Sequence, residues 1–236
     1  RDVTFIENLD SINTGLSDIT GMRIINDYAY FSSYSTGELF SYHIDNGNLE
    51  LLGYLHNEPY GMAWDGQYLW VGDLTGSIYG YDIFDQNGPQ MVGSFSMPEA
   101  SYYALAWDGT SFLAKMVFNE SSALLKVNYS GEILNQYYFD SSFSISGLTY
   151  NNGDLFATED NSGIIWNILI DEQNSTFVAD NPTEHNLSGP IYDNISFSGN
   201  YLYLSNWQGW MAWFQSPYDF TGLSQSGGVV LPGESQ

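Results

Sequence analysis

Gly61-Met-Ala-Trp-Asp-Gly-Gln-Tyr-Leu-Trp-Val71 sets the pattern of the chain: a small residue, a short apolar stretch, a tight turn and a second apolar stretch. Four other segments share this grammar. They are Gly21-Met-Arg-Ile-Ile-Asn-Asp-Tyr-Ala-Tyr-Phe31, Ala104-Leu-Ala-Trp-Asp-Gly-Thr-Ser-Phe-Leu-Ala114, Gly147-Leu-Thr-Tyr-Asn-Asn-Gly-Asp-Leu-Phe-Ala157 and Asn194-Ile-Ser-Phe-Ser-Gly-Asn-Tyr-Leu-Tyr-Leu204. Their starts are 40, 43, 43 and 47 residues apart, a period that suits one four-stranded antiparallel sheet per repeat. Asn26-Asp27, Asp65-Gly66, Asp108-Gly109, Asn152-Gly153 and Ser198-Gly199 tolerate the positive φ of a two-residue hairpin turn.

Outward from this core, each unit continues with a third strand: Glu38–Ile44, Ser77–Ile83, Ala123–Tyr129, Gly163–Ile170 and Trp210–Phe214. Fourth strands follow at Leu49–Leu55, Gln90–Met97, Ile133–Phe139 and Ser175–Asp180. Middle strands such as Tyr68-Leu-Trp-Val71 are apolar on both faces, as expected of sheets packed against a neighbour on each side. The small residue opening each first strand fits a crowded centre where the units meet. The fifth unit lacks a fourth strand of its own. Residues 2–9, with Val3-Thr-Phe-Ile-Glu-Asn-Leu9, are expected to supply it and so cover an exposed edge. Gly228-Val-Val-Leu231 competes for that slot, but Pro217–Gly227 looks like a polar linker, and residues 216–236 are expected to be a Gly/Ser-rich tail.

The repeat resembles the β-propeller superfamily over residues 1–215, most clearly in Gly61–Asp73. That resemblance implies an all-β, five-bladed β-propeller of four-stranded antiparallel blades, starting near residues 21, 61, 104, 147 and 194. The Trp-Asp pairs end first strands and not third strands, which separates the chain from WD-repeat proteins. The first strands carry no acids, unlike those of five-bladed sugar-cleaving propellers.

Composition narrows the partners. Twenty-eight acidic residues stand against Arg1, Arg23, Lys115 and Lys126, a net charge of −24. Nucleic acid and anionic lipid bind through Lys and Arg clusters, so neither is an expected partner. No run of eighteen apolar residues occurs, so no membrane insertion by a helix is expected. Arg1–Phe5 lacks the plan of a signal peptide; a secreted form would be the processed chain or an excised domain. Cysteine is absent, and low charge density with abundant Asn, Ser, Gly and Tyr resembles secreted or cell-surface proteins.

In propellers, the loops entering first strands and leaving second strands share a face that usually carries the ligand. Here they supply Tyr34, Glu58, Tyr60, Tyr102, Tyr103, Tyr192, Asp193 and Trp207, aromatic and acidic groups suited to a protein or glycan ligand. Trp64, Trp70, Trp107 and Trp166 are expected in the core. One aligned position reads Ser33, Asp73, Met116, Glu159 and Asn206. Oxygens of Asp73, Glu159 and Asn206 would suit Ca²⁺, against the plainer assignment of these residues to hairpin ends. No nucleophile elbow, zinc helix or phosphate loop is present, and no residue is assigned as catalytic. A binding or structural interaction module is the leading expectation. One alternative is a filament subunit assembled by β-strand exchange. The other is a polysaccharide hydrolase or lyase using carboxylates such as Glu58, Asp73, Glu159 and Asp193.

Overall fold

The computed structural model describes residues 4–6, 8–56, 58–96, 101–118, 121–138, 144–159, 162–185 and 194–216, and every described element is a strand. In chain order these are β1 (Thr4–Ile6), β2 (Asn8–Asn13), β3 (Ile19–Ile25), β4 (Tyr28–Ser33), β5 (Glu38–His43), β6 (Leu49–Tyr54) and β7 (Pro59–Trp64). β8 (Leu69–Asp73), β9 (Ser77–Asp82), β10 (Gln90–Ser96), β11 (Ser101–Trp107), β12 (Phe112–Phe118), β13 (Ser121–Val127) and β14 (Ile133–Tyr138) follow. The last are β15 (Ile145–Asn151), β16 (Asp154–Glu159), β17 (Ile164–Asp171), β18 (Thr176–His185), β19 (Asn194–Ser198), β20 (Tyr201–Ser205) and β21 (Trp210–Gln215).

They pair as antiparallel meanders β3–β4–β5–β6, β7–β8–β9–β10, β11–β12–β13–β14 and β15–β16–β17–β18, the last two joined by a parallel pair between Tyr138 of β14 and Thr176 of β18. A further sheet, β19–β20–β21, takes β2 as its fourth strand. The turns have the expected chemistry: φ is +54° at Asn26, +100° at Gly66, +97° at Gly109 and +50° at Asn152. Asp65 shows why Asp opens such a turn. Its Oδ1 accepts from the amides of Gln67 and Tyr68 at 2.7 Å, and its Oδ2 from Trp70 Nε1 at 2.7 Å and Tyr129 Oη at 2.9 Å.

First strands neighbour one another in a closed cycle, β3–β7–β11–β15–β19 and back to β3. Between successive sheets lie apolar clusters, which explains the apolar character of both sheet faces. Phe31, Phe112, Phe156 and Phe214 are fully buried there, each stabilising by roughly 1.5–3 kcal/mol. Trp70 is buried, while Trp64, Trp107 and Trp166 pack partly buried against the clusters.

The N-terminal segment differs in register from expectation. The strand on β21 is Asn8–Asn13, with Ser11 opposite Ala212, while Thr4–Ile6 runs parallel to β18. An outer strand faces solvent, so apolar content does not select its register; Leu9 is 54% exposed. The fourth strand of the preceding sheet also runs on to His185, where Ser175–Asp180 was expected. The Gly228–Leu231 competitor and the tail from 217 lie outside the described residues.

His56, between β6 and β7, is a consequence of this packing. Its ring stacks on Tyr79 with centroids 4.1 Å apart, and its Nδ1 lies 3.1 Å from the Tyr81 hydroxyl. Burial lowers its pKa to about 4, although Asp73 and the Gly72 carbonyl pull the other way. Its Nε2 makes no hydrogen bond of good geometry. The native pKa lies below the unfolded value near 6.5, so the neutral ring is favoured by folding. Stability is therefore full above about pH 6.5 and falls as pH drops towards 4. Urea unfolding is expected to show a loss of about 1–2 kcal/mol between pH 7 and 5, after discounting for solvent screening. His56→Gln should flatten that interval; an unchanged slope would assign the dependence to other groups.

Candidate functional site

The end of the ring where chains enter first strands and leave second strands gathers an aromatic cluster. Tyr34 follows β4, Tyr60 lies in β7, and Trp207 follows β20. The Tyr34 ring stands 6.0 Å from that of Tyr60, edge to face, and 5.8 Å from that of Trp207. Three separate sheets thus supply one aromatic surface. Trp207 is 41% exposed, and both tyrosines are half-buried.

Backbone hydrogen bonds tie together the segments that carry the cluster. Ile19 N donates to Trp207 O at 3.1 Å, and Tyr34 N to Asp18 O at 2.8 Å. Thr20 Oγ1 donates to Pro59 O at 2.5 Å, tying the entry to β3 to the entry to β7. Asp18 and Glu58 occupy equivalent positions before these strands, with φ of +58° and +54°. That conformation costs a non-glycine residue roughly 1–2 kcal/mol. Its recurrence in adjacent sheets sets Asp18 and Glu58 at the entries to β3 and β7, at the same end of the ring as the aromatic cluster. Asp18 Oδ2 accepts from Ser35 Oγ at 2.6 Å, and Glu58 is exposed.

Other candidates fare differently. Asp73 is buried, its Oδ1 accepting from the amides of Thr75 and Ser77 at 2.8 and 2.9 Å and its Oδ2 from Thr75 Oγ1 at 2.7 Å. Asn206 repeats the arrangement, its Oδ1 accepting from the amides of Gln208 and Trp210 at 3.0 Å. Glu159 Oε2 accepts from Trp166 Nε1 at 3.0 Å. These oxygens satisfy hairpin and indole donors, as hairpin-end residues do. The described residues hold no group of three or more His, Asp or Glu close enough to share a metal. Side chains of Tyr102 and Tyr103, and all of Tyr192 and Asp193, lie outside the described residues.

Two further features escape sequence analysis. A groove of about 580 Å³ lies at the opposite end of the ring, against Asp27, Asp45, Asn200, Tyr201 and Gln215. The centre of the ring holds Arg23, whose Nη1 donates to Thr149 Oγ1 at 2.8 Å. Only the repeat's oddity at this position, Arg where other units have Ala, Thr or Ser, marks it in the sequence.

This architecture is that of a β-propeller, and solved structures agree. The chain is similar to glutaminyl cyclase of Myxococcus xanthus, with a TM-score of 0.68 and 12% identity over 90% of this chain and 97% of that one. It is also similar to the PQQ-bound aldose sugar dehydrogenase of Streptomyces coelicolor, with a TM-score of 0.57 and 14% identity over 89% and 97% of the two chains. A chain of the mitotic checkpoint complex matches with a TM-score of 0.55 and 10% identity over 90% and 95%. No family model and no curated protein matches the sequence. At such identities the likeness is one of fold, and this fold serves enzymes and members of protein complexes alike.

Proposed function

We propose that the chain is a five-bladed propeller that acts as a binding module outside the cell or at its surface, taking a glycan on the Tyr34–Tyr60–Trp207 face. The carrying observation is the convergence of three rings from three sheets, with centroids 5.8 and 6.0 Å apart. A planar, partly exposed ring offers a sugar an apolar face at little entropic cost. Asp18 and Glu58, at the entries to β3 and β7 on the same end of the ring, carry carboxylates that can accept from sugar hydroxyls. The net charge of −24 disfavours an anionic polysaccharide and favours a neutral or cationic one. The closed cycle of five first strands supports the blade count, and the cysteine-free, Asn- and Ser-rich composition supports the location. The hydrolase alternative is weakened by the local engagement of Asp73 and Glu159.

A glycan array probed with the native chain tests this. Binding to neutral or amino-sugar glycans is expected, weakened about tenfold or more by Trp207→Ala, equivalent to about 1.4 kcal/mol or more. Tyr201→Ala, at the opposite end, should leave it unchanged. An array without hits, or hits indifferent to Trp207, would contradict the proposal; a peptide that competes at Trp207 would redirect it to a protein ligand.

A further inference from the structure

At the end of the ring opposite the aromatic face, two seams between neighbouring sheets are closed by polar contacts. Between the sheets of β7 and β11, the Tyr129 hydroxyl donates to Asp65 Oδ2 at 2.9 Å, and the Tyr129 ring packs against Trp70, Trp107 and Phe112. Between the sheets of β11 and β15, Lys126 Nζ bridges Asp108 and Glu172 at 3.3 and 3.4 Å.

The seam between the sheets of β19 and β3 is built differently. Ser198 stands where Asp65 does, following Phe197 opposite Leu202 as Asp65 follows Trp64 opposite Leu69. Ile44 stands where Tyr129 does, two residues beyond the partner of Ala29 as Tyr129 is beyond the partner of Phe112. An isoleucine side chain has nothing to donate, so the bond that Tyr129 makes has no counterpart here. The groove of about 580 Å³ lies at this place, with Ile44 and Ser198 in its walls.

The same walls carry acids and tyrosines. Asp27 and Asp45 line the groove and are exposed, and among the described residues neither carboxylate takes a hydrogen bond or an ion pair. Turn acids elsewhere are engaged: Asp108 and Asp171 accept from the amides of their own turns. Tyr203 also lines the groove and is only 6% exposed, yet its hydroxyl makes no hydrogen bond among the described residues. Burial, followed by the fields of Tyr201, Asp45 and Asp27, raises its pKa, so a neutral hydroxyl sits within the field of both carboxylates. An unsatisfied, largely buried hydroxyl is costly unless a ligand completes it. Tyr201, 43% exposed, adds an aromatic wall of the kind that attracts organic cations.

The volume is that of a small-molecule site and far more than a bare metal ion fills. We propose that the groove binds a small organic cation with two or more ammonium groups, of the linear polyamine class, Asp27 and Asp45 supplying the countercharges and the Tyr203 hydroxyl an acceptor. Ile44 and Tyr201 give its methylene stem an apolar surface. The site lies at the opposite end of the ring from the aromatic face and does not rest on the glycan reading.

Isothermal titration calorimetry of the native chain with spermidine tests the proposal, at an ionic strength that screens general attraction to the net charge of −24. One saturable site is expected, weakened about tenfold or more in Asp27→Asn/Asp45→Asn. Tyr203→Phe, which removes a single hydroxyl, should weaken it several-fold, and Trp207→Ala should leave it unchanged. Both acids are exposed, so the double variant is expected to melt as the native chain does; should it not, the Tyr203→Phe titration decides alone. Binding that the variants retain, or that magnesium ions of equal charge abolish as well as spermidine saturates it, would mark diffuse screening of the acidic surface and overturn the proposal. So would the absence of a saturable site, or a lysine-rich peptide that binds this groove where spermidine does not.

Discussion

Gly61→Val is expected to lower the melting temperature by about 6–12 °C, from a loss of about 3 kcal/mol. A Cβ at Gly61 would lie 2.7 Å from Leu105 N and 2.8 Å from the Cα of Ala104, both main-chain atoms of the neighbouring first strand. A clashing side chain can rotate away, whereas backbone hydrogen-bonded into its own sheet cannot. Relief therefore requires β7 and β11 to separate, loosening the cluster around Trp70 and Phe112 between their sheets. Gly66→Ala is the natural comparison. Gly66 has open space around its Cα but a φ of +100°, so the substitution meets backbone strain without crowding and should cost only about 1–2 kcal/mol. Thermal melts of the two variants separate the causes. A Gly61→Val protein that melts within two degrees or so of the native one would show that the first strands do not approach as described.

Much of this packing was legible in the sequence, for a physical reason. Gly21, Gly61, Ala104 and Gly147 at one aligned position, and turn pairs such as Asp65-Gly66, are demands of backbone geometry that few other residues meet. Strands apolar on both faces likewise announce sheets covered on each side. What the sequence left open is which partner each group takes. The carboxylate of Asp73 is a candidate cation ligand in the sequence; in the fold its Oδ1 accepts from the amides of Thr75 and Ser77 and its Oδ2 from the Thr75 hydroxyl. Residues 2–9 are the stretch expected beside β21 because the fifth unit lacks a fourth strand, whereas the edge of β21 takes Asn8–Asn13. On an outer strand, main-chain pairing and not burial sets the register. Tyr34, Tyr60 and Trp207 were each legible as loop aromatics at one end; their convergence required the ring to close.

That dependence makes closure the foundation of the functional proposal. Trp207 meets Tyr34 because the sheet β19–β20–β21 lies beside β3, and β2 links the start of the chain to that sheet. If β2 were instead donated to a neighbouring molecule, the same surface would be built between copies and the chain would polymerise. The absence of native cysteine allows a direct chemical test. Ser11 and Ala212 are register partners on antiparallel strands, where Cα atoms lie about 4.5–5.5 Å apart, within reach of a disulfide. Joining them would close nearly the whole chain into a loop, and the stabilisation should reach up to about 5 kcal/mol. The measurement is mild oxidation of the Ser11→Cys/Ala212→Cys double variant, followed by non-reducing electrophoresis and size-exclusion chromatography. A monomer carrying an intrachain disulfide, with a raised Tm, is the predicted result; disulfide-linked dimers and ladders, or thiols that never join, would contradict it.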